Sequence, residues 1–251
     1  MLTENQIFKN LKKIKIKENF IVIHSDITGL LFKNFTIEKL WKIIFKGLGE
    51  DKTYIFPTFT FKNKKNSWNL KKSKSESGIL SEYFRKNIAS RRTIHPVHSV
   101  AVYGKDQHKI PNHDCKSSFG RGSTWEWICN SKEVCNLGLG LNLNGGGTFC
   151  HYSEEKVKIS YREFKDLNLS IVGKDNKKVK KKFSYFSRKK KIVNNWNKCE
   201  KDLIKAKLIK KFLFKENNYR IIKMNTFKVT NFILKKIKKD NYYLTNKNLS
   251  S

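Results

Sequence analysis

The chain of 251 residues is 38% hydrophobic, which suffices for one large core, and a single α/β domain over residues 1–251 is the simplest expectation. Its 54 Lys and Arg against 21 Asp and Glu give a formal charge of +33, a balance that ordinarily points to nucleic acid or an anionic membrane. Lys interrupts every apolar run before bilayer-crossing length, the first twenty residues lack the apolar stretch of an export signal, and five cysteines without a CxxC pair indicate neither a disulfide framework nor a zinc site, so a cytoplasmic protein without metal is expected.

Residues 20–25, FIVIHS, are an apolar run ending in polar residues, the pattern of a buried strand that delivers His24 and Ser25 to a sheet edge. Ile37, Leu40, Trp41, Ile44, Phe45 and Leu48 then recur at helical spacing, with Gly47 and Gly49 as stop signals. The β-rich stretch 53–61 contains Pro57, which ends the strand or places it at an edge, leaving Thr58 and Thr60 nearby. Residues 62–77 are polar and aperiodic and read as a surface excursion that could serve as a lid. A helical pattern resumes over 78–85, and Val97 to Tyr103 form another strand candidate. Ser118 to Ile128 read as a Gly-rich turn and a short helix capped by Ser123, with Glu126 at the capping-box position. Val134 to Leu141 are strand-like, and Gly145, Gly146 and Gly147 lead into a helix beginning near Thr148. Composition shifts near residue 165. A basic β-like stretch follows to about 195, then amphipathic helices over 200–214 and 229–238.

The constellation with most chemistry is Thr148, His151 and Glu154, because positions three apart on a helix share a face. A carboxylate beside imidazole raises its basicity and fixes its orientation, which suits removal of a proton from an amine near neutral pH. An HxxE pair alone is more often structural than catalytic. The three preceding glycines permit close backbone approach of a ligand, or are only a loose loop.

Six segments taken in order resemble the aminoglycoside 3-N-acetyltransferase family: VIHS at 22–25, FPTFT at 56–60, SGILSEYFR at 77–85, RRTIHPVHSVAVYG at 91–104, SFGRGSTWEWI at 118–128 and GTFCHYSEE at 147–155. The last matches the family's T-x-x-H-x-x-E signature. Asp26 stands where the family has a second small residue, Thr124 replaces its usual Pro, and residues 165–251 match only weakly. The resemblance implies a three-layer α/β/α sandwich, distinct from the commoner GNAT architecture, whose pyrophosphate-cradling segment is missing from this sequence. It also implies direct transfer from acetyl-CoA to an amine. His151 is then the base, Glu154 its orienting acid, and Thr148 with nearby backbone N–H groups the stabilisers of the oxyanion. The family's cofactor groove points to His24, Ser25, Thr58 and Ser99, with Ser25 the strongest contact, although each also fits a structural hydrogen-bonder.

Other residues have plainer readings. Cys150 adjoins His151 but points about 100° away on a helix, so it reads as a core residue and not a nucleophile. His95 and His98 lack a third ligand. His113 and Asp114 fit a substrate contact or a turn, and Trp125 and Trp127 read as core and rim. Arg91 and Arg92 fit either a CoA phosphate or an ion pair with Glu82.

Only seven of the 54 cations are Arg, whose planar fork suits phosphate and base recognition, so the charge reads as a bias of the whole sequence. A non-catalytic nucleic-acid-binding protein is the competing class. Aminoglycosides are the default acceptors by resemblance, but polycations need carboxylates. The basic balance better suits an anionic acceptor such as a nucleotide-linked amino sugar of surface polysaccharide synthesis.

Overall fold

The computed structural model describes residues 2–61, 66–112, 115–173, 175–189 and 192–246. His113 and Asp114 lie outside the described residues. At the centre of a seven-stranded mixed sheet is β1 (Phe20–Ser25), flanked in parallel by β2 (Thr53–Pro57) and β6 (Val134–Leu139). Antiparallel strands extend it outward: β5 (Val100–Tyr103) and β4 (Arg91–Arg92) beyond β2, β10 (Arg220–Asn225) and β9 (Ile209–Leu213) beyond β6. Because β1 is covered on both faces, it reads as one continuous apolar run and not as an alternation.

The two faces of β1 feed separate cores. Ile21 and Ile23 pack beneath α1 (Glu4–Lys12), α2 (Ile37–Leu48) and α3 (Ile79–Asn87). Phe20 and Val22 face α4 (Thr124–Asn130), α6 (Phe149–Lys156), α7 (Asn197–Lys205) and α8 (Thr226–Lys239). This is the three-layer α/β/α sandwich expected from the resemblance. In α2 the helical spacing buries Leu40, Trp41, Ile44 and Leu48, each contributing about 1.5–3 kcal/mol by leaving water. Thr36 caps its start by accepting the Lys39 N–H at 3.1 Å, and Gly49, at φ +125°, ends it in a conformation that few other residues adopt.

A second sheet joins β3 (Ser67–Asn69), β7 (Arg162–Val172) and β8 (Lys178–Arg188), the last two forming an antiparallel ribbon. The Ser184 N–H donates to the Lys116 carbonyl at 2.7 Å, tying the ribbon to the main body, and the first residue of β7, Arg162, reaches the site described below. None of the helices among the described residues is long and apolar enough to cross a membrane.

Several local readings are corrected. The helix expected over 200–214 stops at Lys205, and residues 209–213 pair with β10 as an edge strand, so the apolar positions there belong to two elements. Residues 62–65 of the expected excursion lie outside the described residues, but Trp68 within it is fully buried and β3 pairs with β7. Ser123 does cap α4, accepting the Glu126 N–H at 3.0 Å, whereas the Glu126 carboxylate reaches back to the Gly122 N–H in place of the cap residue's own. Part of the glycine stretch is itself helical, α5 (Leu143–Gly146).

Candidate active site

The candidate site forms where the carboxyl ends of β1 and β6 meet the start of α6, the edge at which open α/β sheets place their ligands. The turn into α6 has a steric requirement at Gly147, where an added Cβ would lie 2.6 Å from the Leu143 carbonyl oxygen.

On α6 the His151 Nδ1–H donates to Glu154 Oε2 at 2.6 Å. Glu154 is fully buried and held from its other side: the Tyr161 hydroxyl donates to Oε1 at 2.7 Å, and Arg162 Nε forms an ion pair with Oε2 at 2.9 Å. Burial by itself would raise the Glu154 pKa, but His151, Arg162 and Tyr161 outweigh it and hold the carboxylate below its usual range. Arg162 is anchored by donating to the Phe186 carbonyl at 3.0 Å and to Asn194 Oδ1 at 3.2 Å. Its Nη2 also lies 3.1 Å from His151 Nδ1. That nitrogen's hydrogen is directed at Glu154, so this approach acts through charge alone.

Burial is the main influence on His151 and lowers its pKa. Glu154 opposes this, Arg162 and Arg188 reinforce it, and the net position is below the ordinary imidazole value. With Nδ1 engaged, Nε2 is the nitrogen left for chemistry. The ring is 22% exposed and sits between Trp196, at 5.1 Å between centroids, and Phe119, at 6.1 Å.

Thr148 is brought to His24, not to Glu154. His24 Nε2 lies 2.9 Å from Thr148 Oγ1, and Nδ1 lies 3.2 Å from Asn136 Oδ1. Burial depresses the His24 pKa to about 4, so the ring is neutral. Both ring nitrogens thus face protein, the arrangement of the structural alternative, with His24 against Thr148.

Thr58 and Ser99 have the hydrogen bonds of the structural alternative. Both are completely buried, and Arg92 Nε donates to their hydroxyls at 3.2 and 3.0 Å. Arg92 also donates to the Ser73 carbonyl at 2.6 Å and lies 4.7 Å from the centre of the Trp68 ring, while burial lowers its pKa to about 9. Neither Arg91 nor Arg92 pairs with Glu82, which forms a 2.7 Å ion pair with Arg85; Arg91 donates to the Gln107 and Ile110 carbonyls. Of the four residues expected at the cofactor, Ser25 alone keeps an uncommitted group: its Oγ is buried without a hydrogen-bond partner at the end of β1.

His95 Nε2–H donates to the Ser184 carbonyl at 3.2 Å and His98 Nδ1 lies 2.7 Å from Ser118 Oγ, so both imidazoles are tied into the wall of the site. Among the described residues no group of three His, Cys, Asp or Glu is arranged to hold a metal. The Trp125 indole donates to the His98 carbonyl at 2.9 Å, and Trp127 packs edge-on against Phe20. Cys150 is buried, with its thiol pKa raised well above the ordinary value by burial. Sequence reasoning passed over Tyr161, Arg162, Asn136 and Trp196. The one sequence signal for Arg162 is that it is among only seven Arg in the chain; its burial is visible in the structure alone.

A family model described as aminoglycoside 3-N-acetyltransferase matches residues 22–234. No match was found among curated protein sequences. Among solved structures, AAC-IIIb as a binary complex with CoASH superposes with a TM-score of 0.81 at 12% identity, over 98% of this chain and 99% of that one. YokD from Bacillus subtilis gives 0.74 at 16%, over 95% and 100%, and AAC-VIa bound to sisomicin gives 0.78 at 12%, over 95% and 98%. At these identities the superpositions establish the fold. Together with the family match they define an acetyltransferase. The chain belongs to the aminoglycoside 3-N-acetyltransferase family.

Proposed function

We propose that this chain transfers the acetyl group of acetyl-CoA to an amino group of an amino sugar or aminoglycoside, with His151 as general base. The observation that carries this reading is the His151–Glu154 contact, in which a buried, clamped carboxylate fixes the Nδ1–H tautomer and leaves Nε2 as a proton acceptor. An ammonium has no lone pair, so the acceptor reacts as its neutral amine, the ammonium proton having passed to solvent beforehand. The base takes a proton from the amine as nitrogen attacks the thioester carbon, the carbon–sulfur bond breaks with its electron pair going to sulfur, and the proton passes through His151 to the CoA thiolate. The depressed proton affinity of His151 keeps it neutral and ready for this role at neutral pH.

Acetyl-CoA fits the residues at the end of β1. A buried hydroxyl without a partner is costly unless a ligand satisfies it, and Ser25 has such a hydroxyl. Next to it, α3 begins at Gly78 without a side-chain cap, 3.6 Å separating the glycine's would-be Cβ from the Ser25 carbonyl. A helix start without a side-chain cap beside that hydroxyl suits a polar or anionic part of the cofactor.

For the acceptor, local charge favours an anionic or weakly charged amino sugar, such as a nucleotide-linked one, over a polycation. Of the two charged side chains that lower the His151 pKa, Arg162 is paired with Glu154, which leaves Arg188 as the added positive charge. A cavity of about 430 Å³ beside Phe119 holds Glu126 and Glu155, but also Arg121, Lys156 and Lys158. Burial raises the Glu155 pKa, which weakens it as an anion.

The test is calorimetric titration of acetyl-CoA, followed by CoA-thiol release against a panel of nucleotide-linked amino sugars and kanamycin-type aminoglycosides. Saturable binding with turnover supports the reading, and the preferred acceptor decides between the two classes. Indifference to acetyl-CoA with steeply salt-dependent binding of nucleic acid would reject it in favour of the non-catalytic alternative.

A further inference from the structure

Asn136 is a buried amide inside β6 that the His151–Glu154 pair does not use. Its orientation is dictated by its neighbours. The Gly146 carbonyl, 2.8 Å from Nδ2, can only accept, so the NH2 group must face it and Oδ1 must face His24. An amide oxygen can only accept as well, so His24 carries its hydrogen on Nδ1. In a neutral ring this leaves Nε2 bare, and the Thr148 hydroxyl 2.9 Å away must donate to it.

The helix start has the same polarity. Thr148 occupies the N-cap position of α6, where a threonine hydroxyl ordinarily accepts a backbone N–H two or three residues on. Here its backbone is already helical, at φ −51° and ψ −32°, and the side chain makes no capping bond. The oxygen therefore has its hydrogen directed at His24 and its lone pairs uncommitted. Such an oxygen repels a developing oxyanion and attracts an N–H.

We propose that Asn136 and His24 are positioning residues that make Thr148 an acceptor-only oxygen, which holds one N–H of a primary amine while His151 takes the other. The proposal rests on acetyl transfer at His151 as argued above, and it reassigns Thr148 from the thioester oxygen to the attacking nitrogen. A neutral primary amine has two N–H bonds and one lone pair. Anchoring both hydrogens aims the lone pair at the thioester carbon. As the carbon–nitrogen bond forms, the N–H facing His151 is lost to Nε2 and later reaches the departing thiolate. The N–H facing Thr148 remains in the amide. A secondary amine has a single N–H and forfeits one anchor, so the arrangement selects primary amino groups.

Two experiments test this, the first without turnover. In protein labelled with ¹⁵N in its histidine rings, with the His24 signals assigned by their loss in His24→Gln, the expected spectrum is a neutral Nδ1–H tautomer from about pH 5.5 to 8. An Nε2–H tautomer would overturn the hydrogen-bond direction on which everything else depends. The second compares acetylation of a primary amine and its N-methyl analogue with the slow hydrolysis of acetyl-CoA by water. Thr148→Val should lower the ratio of aminolysis to hydrolysis about tenfold and erase the preference for the primary amine, and Thr148→Ser should restore both. Asn136→Leu, which releases the His24 tautomer, should also erode the preference. An unchanged ratio in Thr148→Val identifies an oxyanion donor and overturns the proposal. Wild-type protein that acetylates no amine would instead reject the transfer reading itself, while the tautomer measurement still judges the hydrogen-bond direction.

Discussion

Glu154 accepts the Nδ1–H of His151 at 2.6 Å from a position where it has no access to solvent. A carboxylate so placed needs cations and donors around it, and Arg162 and Tyr161 supply them from the chain immediately beyond α6. The pair is thus part of a four-residue unit, and its members should not behave independently when mutated.

Glu154→Gln retains an oxygen that can accept the Nδ1–H but removes the charge. Since Glu154 raises the His151 pKa, its loss should move the acid limb of kcat/KM to lower pH and reduce the plateau by about tenfold to a hundredfold. Arg162 would remain buried without its counter-ion, at a cost of about 3–5 kcal/mol in unfolding free energy. A pH–rate profile and a urea titration check the two effects separately; an acid limb displaced upward contradicts the first.

In the wild-type enzyme the acid limb of kcat/KM should lie below the ordinary imidazole value, because the net displacement of His151 is downward. Initial rates at subsaturating acceptor across the acid range measure it. A limb at or above that value would mean that Glu154 outweighs burial.

Acid should destabilise the fold through its buried imidazoles. His24 and His95 titrate near 4 in the folded state, as burial disfavours their charged forms, and near 6.5 when unfolded. Their stabilising contribution is complete above 6.5 and is lost as pH falls towards 4, about 3 kcal/mol for each. Urea midpoints should therefore drop between pH 7 and 5; a midpoint independent of pH over that interval counts against neutral buried rings.

Ser25→Ala removes a buried hydroxyl that has no partner in the protein, so stability should hold or rise slightly. If that hydroxyl meets acetyl-CoA, affinity should fall about tenfold. Calorimetry on the variant reads this directly, and an unaltered Kd removes Ser25 from the cofactor site.

Trp68→Ala should cost about 3–5 kcal/mol, since the ring is wholly buried and lies against Arg92. Arg92→Lys should also loosen the segment around Ser73, because an ammonium cannot reproduce bonds to Thr58, Ser99 and the Ser73 carbonyl together. Limited proteolysis should then cut between residues 66 and 77 faster than in wild type, and equal rates would contradict the role assigned to Arg92.

The elements legible in the sequence are those whose causes are local. The apolar run of β1, the helical spacing of α2 and the Ser123 cap each depend on neighbours within a few residues. The break between α7 and β9 was not legible, because the chain reverses through Lys207 at φ +58° with no Gly or Pro to mark it. Trp68 looked like a loop residue because its partner strand, β7, begins almost a hundred positions later. At the site, His151 and Glu154 were found through their spacing, whereas the burial of Thr58 and Ser99 follows from a cation whose destination is set by tertiary structure. Arg92 and Arg162 are the two buried members of a scarce set of seven Arg, but Arg121 and Arg188 are exposed, so scarcity alone did not single them out.

The most direct test of the central claim is the rate of CoA-thiol release by His151→Ala, measured with saturating acetyl-CoA and the best acceptor of the panel. The account predicts acetyl-CoA affinity near that of wild type and turnover reduced by about 10²–10⁴-fold, the usual contribution of a general base. Turnover within a few-fold of wild type would contradict it and remove His151 from the chemistry.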